Sequence, residues 1–203
     1  PLIVAGSTAP GEEALILRAF EILKAEYACL RPARLLIAPR RPERFDEVED
    51  LLRASTVPFV RRTRATDRER VERAEVILLD TIGELAAVYR LAHVAVIGGS
   101  FYAALAHNVI EPLVRGACVI VGPRYSDPNF PAYEACVWRL PAQASSEALA
   151  RALAHALGRL LLEEDLRARL HEAACRFLAQ HRGTTERILA HLEPILAEAM
   201  EKR

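Results

Sequence analysis

The chain has 203 residues, 52% of them apolar, and 27 basic residues balance 27 acidic ones. That length and apolar share suffice for one large domain with a substantial core, and a formal net charge of zero argues against a general nucleic-acid binder. No apolar run approaches the ~18 residues a membrane span needs, and no signal peptide is read. All the basic residues except Lys24 and Lys202 are arginine, a skew that reads as genomic base composition. The four cysteines, Cys29, Cys118, Cys136 and Cys175, form no C-x-x-C pair. They read as small buried residues in a reducing compartment, not as a zinc site or a disulfide framework. Pro1 stands inside a strand pattern, which reads as a cut within a longer protein.

In chain order, residues 2–5 form a short apolar strand and residues 6–11 a turn. From Glu12 a helix carries Leu15, Ala19, Phe20, Ile22 and Leu23 on a broad stripe. Residues 35–38 are the next strand, stopped by Pro39, and residues 42–53 a helix with Phe45, Val48, Leu51 and Leu52 inward. Residues 57–60 are a weak strand, placed at an edge by Pro58, which cannot donate to a ladder. Residues 76–79 are a strong buried strand, 82–92 a helix, and 94–97 a strand running into Gly98 and Gly99. A helical run over 113–117 precedes a strand over 118–121; a short helix over 131–136 precedes a last strand over 137–140. From Ser145 nearly everything is helical, with leucine stripes through Leu149, Leu153 and Leu157 and then Leu166, Leu170 and Phe177. Gly183 breaks the pattern and Thr184-Thr185-Glu186 restarts it as a cap. Ile188, Leu192, Ile195 and Leu196 make the final stripe, with a kink expected at Pro194.

Strands alternating with helices imply an α/β fold: a Rossmann-like parallel sheet with right-handed crossovers and helices on both faces. Residues 1–142 read as the ligand-binding core, and 143–203 as a helical tail packing on the same domain. Ligands in such sheets bind beyond the carboxyl ends of the strands, where four segments are expected to converge. Gly6 to Glu13 offers glycines and small hydroxyls before a helix, suited to an anion and equally to a plain helix start. In Pro39-Arg40-Arg41-Pro42-Glu43-Arg44-Phe45, Arg40 directly follows a strand and suits bidentate contact with phosphate or carboxylate; pairing with Glu43 and Asp46 is the other reading. In Asp80-Thr81-Ile82-Gly83-Glu84-Leu85, Thr81 and Glu84 have capping-box spacing, and Gly83 early in a helix exposes N–H groups. Gly98-Gly99-Ser100 followed by His107-Asn108-Val109-Ile110-Glu111-Pro112 is the most informative stretch. A buried strand ending in glycines admits close approach of a ligand to the backbone. A helix starting beyond it points N–H groups at a phosphate, and Glu111 accepts from sugar hydroxyls. No Ser-His-Asp set, glycosidase carboxylate pair, P-loop lysine or G-x-G-x-x-G is present. The pattern holds a nucleotide sugar and is poor in groups for proton transfer.

These five motifs occur in an order that resembles the carboxyl-terminal half of the 3-deoxy-D-manno-octulosonic acid (Kdo) transferases of lipopolysaccharide synthesis, over residues 1 to about 140. The resemblance implies the carboxyl-terminal half of an inverting GT-B glycosyltransferase that moves Kdo from CMP-Kdo to lipid A precursor with no cofactor and no bound metal. It implies CMP contacts from Pro39 and Arg40, from Ile82, Gly83 and Glu84, and from Asn108, Val109, Ile110 and Glu111. It implies a cleft lined by Ser7, Thr8, Gly11, Glu12, Gly99, Ser100 and His107. The family's general base belongs to an amino-terminal acceptor domain outside these residues, so this stretch alone is expected to be inactive and soluble. The full-length protein is expected at the cytoplasmic side of the bacterial inner membrane. The family has histidine where Ala9 and Arg41 stand and glycine where Ala106 stands, which leaves the donor sugar open. The alternatives are a GT-B domain for a UDP- or GDP-sugar, and a non-catalytic nucleotide- or partner-binding module.

Overall fold

A computed structural model describes residues 1–66, 68–103 and 107–201; Ala106 lies outside the described residues. Seven strands form one sheet: β1 (Leu2–Thr8), β2 (Arg34–Pro39), β3 (Phe59–Arg61), β4 (Val76–Leu78), β5 (Val94–Ile97), β6 (Cys118–Val121) and β7 (Val137–Arg139). Their order is β3-β4-β2-β1-β5-β6-β7, and every pairing is parallel. β1 and β5 are the central neighbours, from which the crossovers run outward in opposite directions. β3 takes the edge, where Pro58 costs no ladder bond.

The strands are continuous apolar runs because both faces are covered. Along β1, Ile3 and Ala5 face one core and Val4 the other. The first core is closed by α1 (Glu12–Glu26), α2 (Phe45–Ala54) and α7 (Ser146–Leu162). The second is closed by α5 (Ile110–Val114), α6 (Phe130–Tyr133) and α8 (Glu164–Gln180), with Tyr89 and Tyr125 filling between them. Ser145 caps α7, its Oγ accepting from Ala148 N at 3.1 Å.

Several elements differ from the sequence expectation. β1 continues through Gly6 to Thr8 instead of turning at Gly6, because it keeps pairing with β2 across a register irregularity between Gly6 and Thr8. The helix expected over 82–92 shrinks to α4 (Leu85–Val88) and a 3₁₀ turn at Tyr89–Leu91; Gly83, at φ +89°, blocks a start at Ile82. Residues 42–44 form a 3₁₀ turn before α2. The helix expected over 113–117 begins earlier, at Ile110, because the Asn108 side chain accepts the Ile110 N–H at 2.8 Å. A further helix, α3 (Arg68–Arg73), carries no apolar stripe and is supported by Arg68–Glu72 and Arg73–Glu69 pairs. Gly183, at φ +73°, separates α8 from α9 (Thr184–Glu201), in which Pro194 is internal. The last stripe is not packed away: Ile188, Leu189, Leu192 and Ile195 are exposed. Cys118 and Cys136 are buried, whereas Cys29 and Cys175 are exposed; all four are free thiols. Among the described residues no helix is long and apolar enough to cross a membrane.

Candidate functional site

Outside the carboxyl ends of β1, β2 and β5 lies a cavity of about 720 Å³, a size suited to a nucleotide-sized ligand. The β1 loop lines it through Thr8, Ala9 and Pro10, the β2 loop through Arg40, Arg41, Glu43 and Arg44, and the β5 loop through Ala103 and His107. This is the topological switch point, where open α/β sheets bind ligands.

The first turn of α1 holds these loops together. Gly11, at φ +83°, turns the chain into the helix, so two carboxylates point back under the loops. Glu12 is fully buried. It accepts from Ala9 N at 2.9 Å and Gly99 N at 2.7 Å through Oε2, and from Phe101 N at 3.0 Å through Oε1. Glu13 is also buried. It accepts from Thr8 Oγ1 at 2.6 Å and takes a bidentate pair from Arg44 at 2.6 and 3.0 Å. Arg44 reaches Glu47 as well, at 3.0 Å. The Glu13 hydrogen bond is the main reason the Arg44 guanidinium is held above its ordinary pKa, against the opposing pull of burial. Sequence reading placed Glu13 and Arg44 in two of its segments but did not pair them, because residues 31 positions apart have no spacing signal.

This arrangement corrects part of the expectation for the β5 end. Gly98 packs closely on neighbouring backbone, and Gly99 is held by a buried side chain. A Cβ on Gly98 would stand 2.4 Å from Ser7 O and Thr8 Cα, and the Gly99 N–H is already taken by Glu12. Ser100 is fully buried, its Oγ donating to Ile97 O at 2.5 Å and accepting from Gly122 N at 2.8 Å. Glu12, Gly99 and Ser100 therefore build the cleft wall from behind and do not line it. Thr8 does both, buried yet at the cavity floor. Ser7 is half-buried in a left-handed conformation at φ 58°, and Gly11 is exposed on the rim.

Of the residues expected to touch a nucleotide, Arg40 lines the cavity. Its backbone is pinned by Arg40 N donating to Thr8 O at 3.0 Å, and its side chain is exposed. Pro39 is buried in the sheet beside Thr8 and Val109 is buried in the second core. Ile110 faces a different cavity, between α5 and α8. Ile82 and Gly83 are exposed on the β4 loop. The capping box expected of Thr81 and Glu84 is not formed. The Thr81 hydroxyl bonds the Glu84 carboxylate directly, Arg62 pairs with it at 3.2 Å, and α4 starts only at Leu85. Asn108 donates to Glu111 Oε1 at 3.1 Å while capping Ile110 N. With Pro112 lacking a donor, the Glu111 N–H is, among the described residues, the one the first turn of α5 leaves without a partner.

Below the β4 rim, Asp80 accepts from Arg61 at 2.5 Å and from Thr63 N at 2.9 Å. Burial alone raises the Asp80 pKa, but the bonds from Thr63 and Arg61 outweigh it and hold the carboxyl below its ordinary value. His107 is held below its ordinary pKa first by burial and then by the charge of Arg40, so it stands neutral at pH 7. Tyr89, whose hydroxyl occupies the space a Gly6 Cβ would need, is raised by burial and by Glu111. Glu111 and the β4 loop thus face the same strand-end edge as Arg40.

No protein-family model matches the chain. It is 36% identical over 196 residues to a Kdo transferase of Haemophilus influenzae, covering 97% of this chain and 44% of that protein. It is 37% identical over 195 residues to the Kdo transferase of Bordetella pertussis, covering 95% of this chain and 44% of that one. The chain thus spans less than half the length of these relatives. The crystal structure of the C-terminal CMP-Kdo binding domain of WaaA from Acinetobacter baumannii superposes with a TM-score of 0.66 at 28% identity, covering 85% of this chain and 88% of that domain. Taken with the seven-stranded parallel sheet, these matches make the chain a homologue of the Kdo transferases, corresponding to the carboxyl-terminal domain of their GT-B fold.

Proposed function

We propose that this chain binds CMP-Kdo in the cavity outside β1, β2 and β5 and presents it for transfer to a lipid A precursor in lipopolysaccharide synthesis. The acceptor is brought by a second lobe, at the cytoplasmic face of the bacterial inner membrane. The observation that carries the reading is the switch-point cavity with Arg40 on its wall, in a chain homologous to Kdo transferases over nearly its whole length. Arg40 is assigned to the CMP phosphate, where a guanidinium stabilises the charge that builds as CMP leaves. Glu111 and Asn108 take the ribose or base, and Glu84 borders the nucleotide from the β4 side. An acceptor hydroxyl attacks the anomeric carbon in line with the departing phosphate, its proton passing to a base on the other lobe.

Titration calorimetry with CMP, UMP and GDP tests the reading. CMP is expected to bind most tightly, and Arg40→Ala to weaken it about tenfold, the value of a partly buried charged hydrogen bond. Tighter binding of UMP or GDP would assign the cavity to another sugar nucleotide. Affinity unchanged by Arg40→Ala would leave only a domain that shares the fold.

A further inference from the structure

Among the described residues, two guanidiniums that line the cavity, not one, have no partner. Among the described residues, the others around it are committed: Arg44 to Glu13 and Glu47, and Arg62 to Glu84. Arg40 and Arg41 both line the cavity, and neither guanidinium makes an ion pair or a hydrogen bond. Their backbone, by contrast, is fixed. Arg40 N donates to Thr8 O at 3.0 Å, and Arg41 O accepts from Arg44 N at 3.1 Å. Arg44 is itself clamped by the buried Glu13. Among the described residues, the cavity therefore presents two cations without an ion-pair partner on fixed backbone, with the carboxylate of Glu43 on the same wall.

The two differ in their surroundings. Arg40 reaches across towards His107, whose pKa it depresses; Arg41 has no such influence there. A ligand with two separated negative groups satisfies both.

Resting on the reading that the cavity takes CMP-Kdo, we propose that Arg40 and Arg41 hold different anions of that one ligand. Arg40 holds the phosphodiester and Arg41 the carboxylate of the ulosonic acid, so Arg41 is the residue that selects an acidic sugar.

The test compares two ligands by calorimetry. One is CMP-Kdo; the other is the methyl ester of CMP, which has the same phosphodiester charge and no carboxylate. Arg41→Gln is expected to weaken CMP-Kdo about tenfold and the methyl ester less than twofold, whereas Arg40→Gln weakens both. Arg41→Lys restores part of the loss. Arg41→His makes CMP-Kdo binding pH-dependent, tighter at pH 5.5 than at 7.5, in excess of any change in the wild type; a merely structural role for Arg41 does not produce that signature. Equal loss for both ligands, no loss for CMP-Kdo, or equal wild-type affinity for the two overturns the assignment of Arg41 while leaving the nucleotide reading intact. Failure of the wild type to bind either ligand removes the nucleotide reading, and this inference with it. Thermal melts of each variant confirm that folded protein is being compared.

Discussion

Glu13 and Arg44 face one another almost without solvent, at 2% and 11% side-chain exposure. Removing one partner strands the other as a buried charge, which costs about 3–5 kcal/mol. Arg44→Ala is therefore expected to lower stability by that order in urea unfolding, far more than Arg40→Ala, whose side chain is exposed and unpaired. The two substitutions separate frame from ligand contact: Arg40→Ala weakens CMP with little change in unfolding midpoint, and Arg44→Ala moves both. An Arg44→Ala protein as stable as the wild type would show that the ion pair does not hold the β1 and β2 loops together. His107 adds a pH dependence. Its folded pKa lies below the ordinary value of about 6.5. Between the two values the unfolded chain binds more protons than the folded one, so stability rises with pH through that window and is fully present above about 6.5. His107→Gln is expected to flatten the fall in melting temperature between pH 7 and pH 5. A fall of undiminished slope would show that His107 is not the group titrating; His93, also held low by burial, would then be the next to test.

At the scale of elements, the strand ends are joined by close backbone contact. Gly98 touches Ser7 and Thr8, and Gly122 touches Ser100 O, each closer than any Cβ allows. Gly98→Ala must push the β1 loop outward, since the clash is with backbone and not with a side chain that turns away. A cost of about 1–3 kcal/mol is expected, together with weaker CMP binding, because Thr8, Ala9 and Pro10 form the cavity floor. A melt and a titration on the same sample check both; loss of stability with unchanged CMP affinity would mean that the floor does not set the site. Tyr125 acts from the other side. Buried in the second core, its hydroxyl donates to His107 O at 3.2 Å and also meets Tyr133 Oη at 3.0 Å. That fixes one end of the loop that carries His107 to the cavity.

These elements also mark what the sequence made legible. The apolar runs at β2, β5 and β6 were readable as strands because a parallel sheet buried on both faces leaves no alternation to obscure them. The edge position of β3 was readable from Pro58. The extent of β1 was not, because Gly6 to Thr8 has turn composition and is held extended by pairing with β2. The start of α4 was not, because Gly83 takes a positive φ and the Glu84 carboxylate bonds the Thr81 hydroxyl and Arg62 in place of a backbone cap. Arg40 was legible from its place after a strand. The work of Glu12 was not, since a carboxylate at a helix start looks the same whether it faces water or staples two loops.

For the whole molecule, the decisive property is that the cavity has one wall system. Its loops all come from one edge of one sheet, and nothing among the described residues closes over it. For the binding proposed above, the cavity and the backbone that carries Arg40 and Arg41 are already in place. Turnover asks for more: an acceptor hydroxyl in line with the anomeric carbon, a base within hydrogen-bond reach of it, and exclusion of water that would otherwise compete. The chain covers 44% of the length of its relatives, and the motifs expected to touch the donor all fall within it. The expected outcome is a separation of functions. These 203 residues bind CMP and CMP-Kdo but form no Kdo-lipid product when given CMP-Kdo and lipid A precursor. Activity is recovered only when the chain is joined to the rest of a Kdo transferase polypeptide. Chromatography of the radiolabelled lipid product, with calorimetry on the same preparation, reads both halves. Transfer by the 203 residues alone would require a base within this chain; His107, neutral and on the cavity wall, would then be the first residue to replace.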